Sequence, residues 1–225
     1  MTRNVGLWAR FIYPAMGHFR RNCGQFLRHQ FPAIKTMNVC EVSGSIHCRQ
    51  SAGLRLAPER LTILNIDEYM AGALPGSPAQ AHEIVIFDGK TIPFANQHFY
   101  LLLCNSVIEY GPVEQRAALA RELIRVARRV FCQTPAYAFP VERHFLMPVV
   151  QWLPKGWAFW RVLVSPWRRL ARPTPDQIHS YFFGSTLLRR SELQALFPTA
   201  LIPAERVLGL TKSHYVLDAG TAGAP

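Results

Sequence analysis

Apolar residues along this chain fall into short runs with polar residues at their carboxyl ends. Residues 37–42 (MNVCEV), 61–66 (LTILNI), 83–87 (EIVIF), 99–104 (FYLLLC) and 129–133 (RVFCQ) are each five or six residues long. That length suits a strand and is too short for a helix. The 83–87 and 99–104 runs read as strands buried on both faces. Asp67 follows the second run, Asp88-Gly89 the third and Asn105-Ser106 the fourth. Buried strands whose polar residues gather at one end describe a parallel sheet with a ligand crevice across those ends.

Between the runs the period changes. Phe19, Cys23, Phe26, Leu27 and Phe31 recur at helical spacing, with Arg20, Arg21 and Arg28 off that face and Pro32 as a stop. This predicts a helix that packs on the sheet or covers the crevice. Residues 46–56 can form a second helix, weakened by Gly53. Gly72, Pro75, Gly76 and Pro78 leave the next crossover short or irregular. A third helix opens at Pro112, with Glu114 at its positive end, Arg125, Arg128 and Arg129 at its negative end, and a stripe of Val113, Ala117, Ala120, Ile124 and Ala127. Ser191-Glu192-Leu193-Gln194 reads as a capping box opening a short helix before Pro198. Residues 201–208 and 213–217, separated by Gly209, read as a closing antiparallel pair, and 218–225 as a frayed tail. The expected organisation is α/β: a basic helical segment at 1–36, a mostly parallel doubly wound domain at 37–217, and within it a Trp/Arg-rich lid insert at about 140–185.

Composition narrows the class. The chain has 225 residues, 49% apolar and 17% charged, which describes a globular protein rather than a disordered one. A formal net charge of +11 suits nucleic acid, an anionic membrane surface or an acidic substrate. The five cysteines show no CxxC spacing and three fall inside predicted strands, which points to a reducing compartment. Cys40, His47 and Cys48 fit no common zinc spacing. No apolar run reaches bilayer length. The stretch before Glu41 is basic and lacks acids, as in an organelle transit segment or a basic helix lying on the domain.

The middle of the chain carries a resemblance. An acid closing one strand, the turn Ile92-Pro93-Phe94, and an aromatic-led strand ending in Cys-Asn-Ser-Val-Ile-Glu resemble class I S-adenosylmethionine-dependent methyltransferases, closest to the small type 11 branch. The likeness can be followed from about residue 39 to residue 217. It implies a Rossmann-like sheet closed by an antiparallel strand pair, S-adenosylmethionine as cofactor, and methyl transfer as the activity. Glu41 and Gly44 stand where the family has an acid and a glycine-rich loop, with Ser43, Ser45 and His47 in place of glycines. The resemblance implies that Glu41, Ser43, Gly44 and Ser45 meet the amino-acid end of the cofactor. Asp67, about twenty residues past Gly44, would hold the ribose hydroxyls or simply cap a turn. Asp88 and Gly89 would meet the adenine, or Asp88 is a turn residue. Asn105, with Ser106, would face the transferable methyl or the cofactor, or cap the next helix.

Beyond the fifth strand, Tyr137, Glu142 and His144 are best placed to meet an acceptor. His144 is the first choice as general base and Glu142 its orienting partner or substitute, set against a surface His and a solvated Glu. The scheme requires no metal. Residues 145–172 set Trp152, Trp157, Trp160 and Trp167 among Lys155, Arg161, Arg168, Arg169 and Arg172, broken by Pro148, Pro154 and Pro166. This pattern fits a lid closing on the pocket or a segment lying on anionic lipid. The expected acceptor is a small-molecule, saccharide or lipid-linked compound, and the expected setting cytoplasmic or peripheral at the inner membrane face. No specific nucleic acid is expected, since no recognisable binding module is present. The substituted glycine loop also admits a non-catalytic relative acting as a binding or scaffold protein.

Overall fold

Seven short segments hydrogen-bond into a single sheet, because runs of four to nine residues suit strands and burial of their apolar side chains on the sheet outweighs the helix preference of leucine. The computed structural model describes residues 5–42, 53–54, 56–66, 83–142, 147–171 and 173–219, with backbone alone for 5–16, 58, 170, 171, 177, 180 and 181. The strands are β1 (Val39–Val42), β2 (Leu61–Asn65), β3 (Glu83–Ile86), β4 (Phe99–Asn105), β5 (Ala127–Pro135), β8 (Ala204–Val207) and β9 (Leu210–Asp218), in the order β3-β2-β1-β4-β5-β9-β8. β1 to β5 are mutually parallel, whereas β9 runs antiparallel to both β5 and β8. A separate two-residue pair, β6 (Val141–Glu142) with β7 (Met147–Pro148), precedes the helical insert.

Pleating sorts the side chains into two layers. Leu61, Ile63, Leu101, Leu103, Phe131 and Tyr215 face α1 (Val5–Gln30) and meet its Cys23 and Leu27. Cys40, Val42, Leu64, Leu102, Cys104 and Val130 face the other way, onto Leu119 and Leu123 of α2 (Val113–Val126) and Leu193 of α6 (Arg190–Leu196). Leu101, Leu102 and Leu103 are all buried because both faces of β4 are covered. Each such burial is worth roughly 1.5–3 kcal/mol.

Several expectations need correction. β3 is not buried on both faces: it is the edge strand, and Ile86 is 42% exposed. The buried stripe of α2 is Arg116, Leu119, Ala120, Leu123 and Val126, while Val113 and Ala117 point outward. Apolar spacing alone allowed two stripes, and the sheet selected the one that carries leucines. The cap of α6 sits two residues earlier than expected: Glu192 Oε2 accepts the Arg189 amide at 2.6 Å. Asp218 does not begin a frayed tail, since it ends β9, is buried, and accepts the Thr199 hydroxyl at 2.9 Å. α1 continues through Pro14 and stops before Pro32. The readings of a helix at 46–56 and an irregular crossover at 67–82 lie outside the described residues, apart from the short stretch around Gly53.

The insert at 147–183 is built from short helices that begin at prolines. α3 (Lys155–Leu163) follows Pro154, α4 (Pro166–Ala171) starts on Pro166, and α5 (Pro175–Phe183) starts on Pro175. Proline has no amide to lose in a first turn, so breaks in the pattern become starts. Val150, Ala158, Val162, Trp167 and Ile178 form a small core of their own, and α4 packs against α1.

Candidate functional site

The carboxyl ends of β1 to β5 emerge along one edge, with the change in strand order falling between β1 and β4. On the α1 side, Glu41 is in register with Ile63 and Leu103, so Asn65 and Asn105 lie one pleat further along on either hand. Asn105 is in turn in register with Gln133. Asn65, Glu41, Asn105 and Gln133 therefore make a polar row over four neighbouring strands, roughly 14 Å at 4.8 Å per strand. Glu41, Asn65 and Gln133 are buried and Asn105 is open. Asn65 Oδ1 accepts the Ile66 amide at 3.3 Å, and its buried Nδ2 has no hydrogen-bond partner among the described residues. A carboxylate and three amides at an otherwise apolar sheet edge suit a ligand with both donors and acceptors.

Asp88 and Gly89 follow β3 at the same edge. Asp88 Oδ1 accepts the amides of Lys90 and Thr91, each at 2.8 Å. These bonds, the Thr91 one foremost, hold the exposed Asp88 carboxyl below its usual range. Gly89 takes φ +76°, and its missing Cβ would stand 3.7 Å from Ile66 Cγ2, so the loops after β2 and β3 touch. Glu41, Asp88, Gly89 and Asn105 are thus brought to one edge. Ser43, Gly44, Ser45, His47, Asp67 and His144 lie outside the described residues.

The loop after β4 is held tightly. Ser106 adopts φ +58°, an uncommon left-handed value for a residue with a side chain, and its amide donates to Gln133 O at 2.7 Å. Glu109 is fully buried and accepts the Thr134 hydroxyl at 3.1 Å. Buried Arg116 donates to the carbonyls of Glu109 (3.0 Å), Gly111 (3.1 Å) and Thr186 (3.0 Å). Its pKa falls below the usual arginine value chiefly through burial. Three carbonyls around one guanidinium tie the loop after β4 to the chain that returns from the helical insert.

That returning chain walls a cavity of about 180 Å³. The Thr186 amide donates to Glu109 O, and Leu188 pairs with Ala136 and Tyr137 just past β5. The cavity therefore lies beside the carboxyl ends of β4 and β5, lined by Tyr137, Glu142, Lys155, Phe182, Phe183 and Thr186 among others. Arg189 stacks on the Tyr137 ring at 4.4 Å, and Trp152 Nε1 donates to Tyr137 O at 3.0 Å. Glu142 is buried at this wall, so it is not a solvated surface acid. Aromatic walls with one acid and one lysine can seat a partly apolar molecule and orient a polar group on it.

Asn65, Gln133, Arg116 and Lys155 were not anticipated as site residues. Asn65 and Gln133 end apolar runs just as Asn105 does, so the same signal marks them. Arg116 had no such mark, because its partners are backbone carbonyls, which carry no side-chain signal, and one of them, Thr186, lies seventy residues away.

Compared with known proteins, the chain matches no family model and no curated protein sequence. Among solved structures, the fold is similar to magnesium protoporphyrin IX methyltransferase from Synechocystis PCC 6803 with bound SAH. That likeness has a TM-score of 0.53 at 11% identity, over 92% of this chain and 85% of that one. It is similar to an S-adenosylmethionine-dependent methyltransferase from Mesorhizobium loti (TM-score 0.53, 14% identity, 86% and 95% covered). A third is the N-terminal domain of EvdMO1 with SAH bound (TM-score 0.52, 14% identity, 88% and 80% covered). The fold is that of the class I S-adenosylmethionine-dependent methyltransferases, Rossmann-like with an antiparallel closing strand.

Proposed function

We propose that this protein transfers a methyl group from S-adenosylmethionine to a small-molecule, saccharide or lipid-linked acceptor. The observation that carries the reading is the adjacency of the polar row at the strand ends to the cavity beside β4 and β5. Solved structures of the same fold hold SAH. The residues fit such a cofactor: Glu41 is an acceptor for an amino group, while Asn65, Asn105 and Gln133 offer donors and acceptors to a carboxylate or ribose. Ser43, Gly44, Ser45, Asp67, Asp88 and Gly89 complete the proposed contacts.

Bound there, S-adenosylmethionine would supply an activated sulfonium methyl, so the protein has to position the acceptor and exclude water. Tyr137, Phe182 and Phe183 shield the cavity, and Glu142 accepts the hydrogen bond of an acceptor hydroxyl. His144, two residues on, takes the proton, or Glu142 does so itself.

Calorimetric titration with S-adenosylmethionine and its demethylated product tests the reading. One site for each ligand is expected, weakened tenfold or more by Glu41→Gln, with a rise in Tm on saturation. No heat and no thermal shift with either ligand would leave the fold as a non-catalytic binding module.

A further inference from the structure

We infer that the outward face of α3, together with the arginines of α4, docks on an anionic lipid surface. Trp157 and Trp160 are 73% and 70% exposed, and Val164, just past the helix, is 64% exposed. At about 100° per residue, Trp157, Trp160, Arg161 and Val164 fall within roughly 100° of one another around the axis. The opposite side of the same helix is already used, since Ala158 and Val162 are buried against Val150, Trp167 and Ile178. The tryptophans are therefore not an unfinished part of the lid core. Indole rings are large apolar surfaces with a polar handle, and an interface between hydrocarbon and water accommodates both ends.

Charge selects the kind of surface. Residues 143–175 contain six Lys or Arg and no Asp or Glu. Arg161, Arg168 and Arg169 are exposed, the first on α3 itself and the other two on α4, which follows it in the chain. Each cation near an anionic membrane strengthens binding about fivefold, from roughly 1 kcal/mol apiece. α3 is nine residues long and α4 six, and no helix among the described residues is long and apolar enough to cross a bilayer. The segment therefore lies on the surface, with its rings among the headgroups.

The docking face and the cavity share a helix. Lys155 and Ala158 line the cavity from the inner side of α3, so a docked protein holds it about one helix diameter, roughly 10 Å, from the lipid. An acceptor with a hydrocarbon tail could then enter from the membrane side; this consequence rests on the methyl-transfer reading, whereas docking itself does not.

Flotation with phosphatidylcholine vesicles, alone or with one quarter phosphatidylglycerol, tests the docking, with calorimetric cofactor binding followed separately on the same protein. The expected result is tenfold or greater preference for anionic vesicles, a blue-shifted tryptophan emission, and quenching by brominated acyl chains. Trp157→Ala with Trp160→Ala should lower partitioning at least tenfold, and Arg161→Gln with Arg168→Gln and Arg169→Gln should erase the anionic preference. Unchanged far-UV circular dichroism would certify both variants. Should a variant fail to fold, quenching in the unaltered protein decides. The inference is overturned by failure to float with anionic vesicles at low salt, or by flotation without quenching. It is equally overturned if the tryptophan variant removes self-association or binding to a single-stranded oligonucleotide rather than to vesicles.

Discussion

At the scale of single residues, Arg116 is a buried charged side chain that ties three stretches of backbone together. Replacing it with leucine removes a donor from the carbonyls of Glu109, Gly111 and Thr186, of which Glu109 O keeps the Thr186 amide, in a place where water is largely excluded. The expected cost is about 3 kcal/mol, read from the shift in urea midpoint. The crevice should loosen as well, so any cofactor heat measured on the folded variant should fall. His214 bears on acid stability. Burial lowers its pKa, with a smaller push from Arg190, and its Nδ1 has no hydrogen-bond partner among the described residues. Between that lowered value and the ordinary one near 6.5, the unfolded chain binds more protons than the folded one. Stability therefore rises with pH through this window and is lost on acidification. His214→Gln should flatten the dependence of Tm on pH below about 6.5, relative to the parent.

At the scale of elements, the link from β3 to β4 depends on the far end of α2. Arg125 donates to the carbonyls of Ile92 (2.9 Å) and Phe94 (2.8 Å) and pairs with Glu122 at 2.7 Å, while Glu122 Oε2 accepts the Ile92 amide. The bond from Arg125 chiefly lowers the pKa of Glu122. This pairing supports the fold above the unfolded carboxylate value and is lost as pH drops through the folded one, in the same direction as His214. Arg125→Gln should cost about 1–2 kcal/mol and hasten proteolysis within 90–97, measured by limited digestion. Helix orientation offers a sharper comparison. Leu123→Ala should cost about 2–5 kcal/mol in thermal unfolding, whereas Val113→Ala should change it by less than about 0.5. The opposite ranking would restore the stripe read from spacing alone. That stripe held at Ala120, Ile124 and Ala127, which pack in the core, and missed at Val113 and Ala117, because small apolar residues at helical intervals are compatible with several rotations.

At the scale of the whole molecule, the runs closed by Asp88 and Asn105 foretold strands, direction and crevice edge, because parallel strands expose polar groups only where the chain leaves the sheet. Strand order was less legible, since it depends on crossovers whose residues carry no pairing signal of their own. The site was half legible. Glu41 and Asn105 could be placed from the strand ends, but the cavity is walled by 137–142 and 182–188, segments brought together by backbone pairing that side-chain patterns do not encode. α5 went unread for a related reason: its apolar residues serve the lid core rather than the sheet.

Inserting β9 between β5 and β8 also imposes an order of assembly. A nascent chain can align β1 to β5 early, yet until residues 210–218 leave the ribosome the edge of β5 stays open to any passing strand. Ribosome-stalled chains ending near residue 200 should therefore recruit chaperones or aggregate, and stalled chains extended by a linker until residues 210–218 clear the exit tunnel should suppress both.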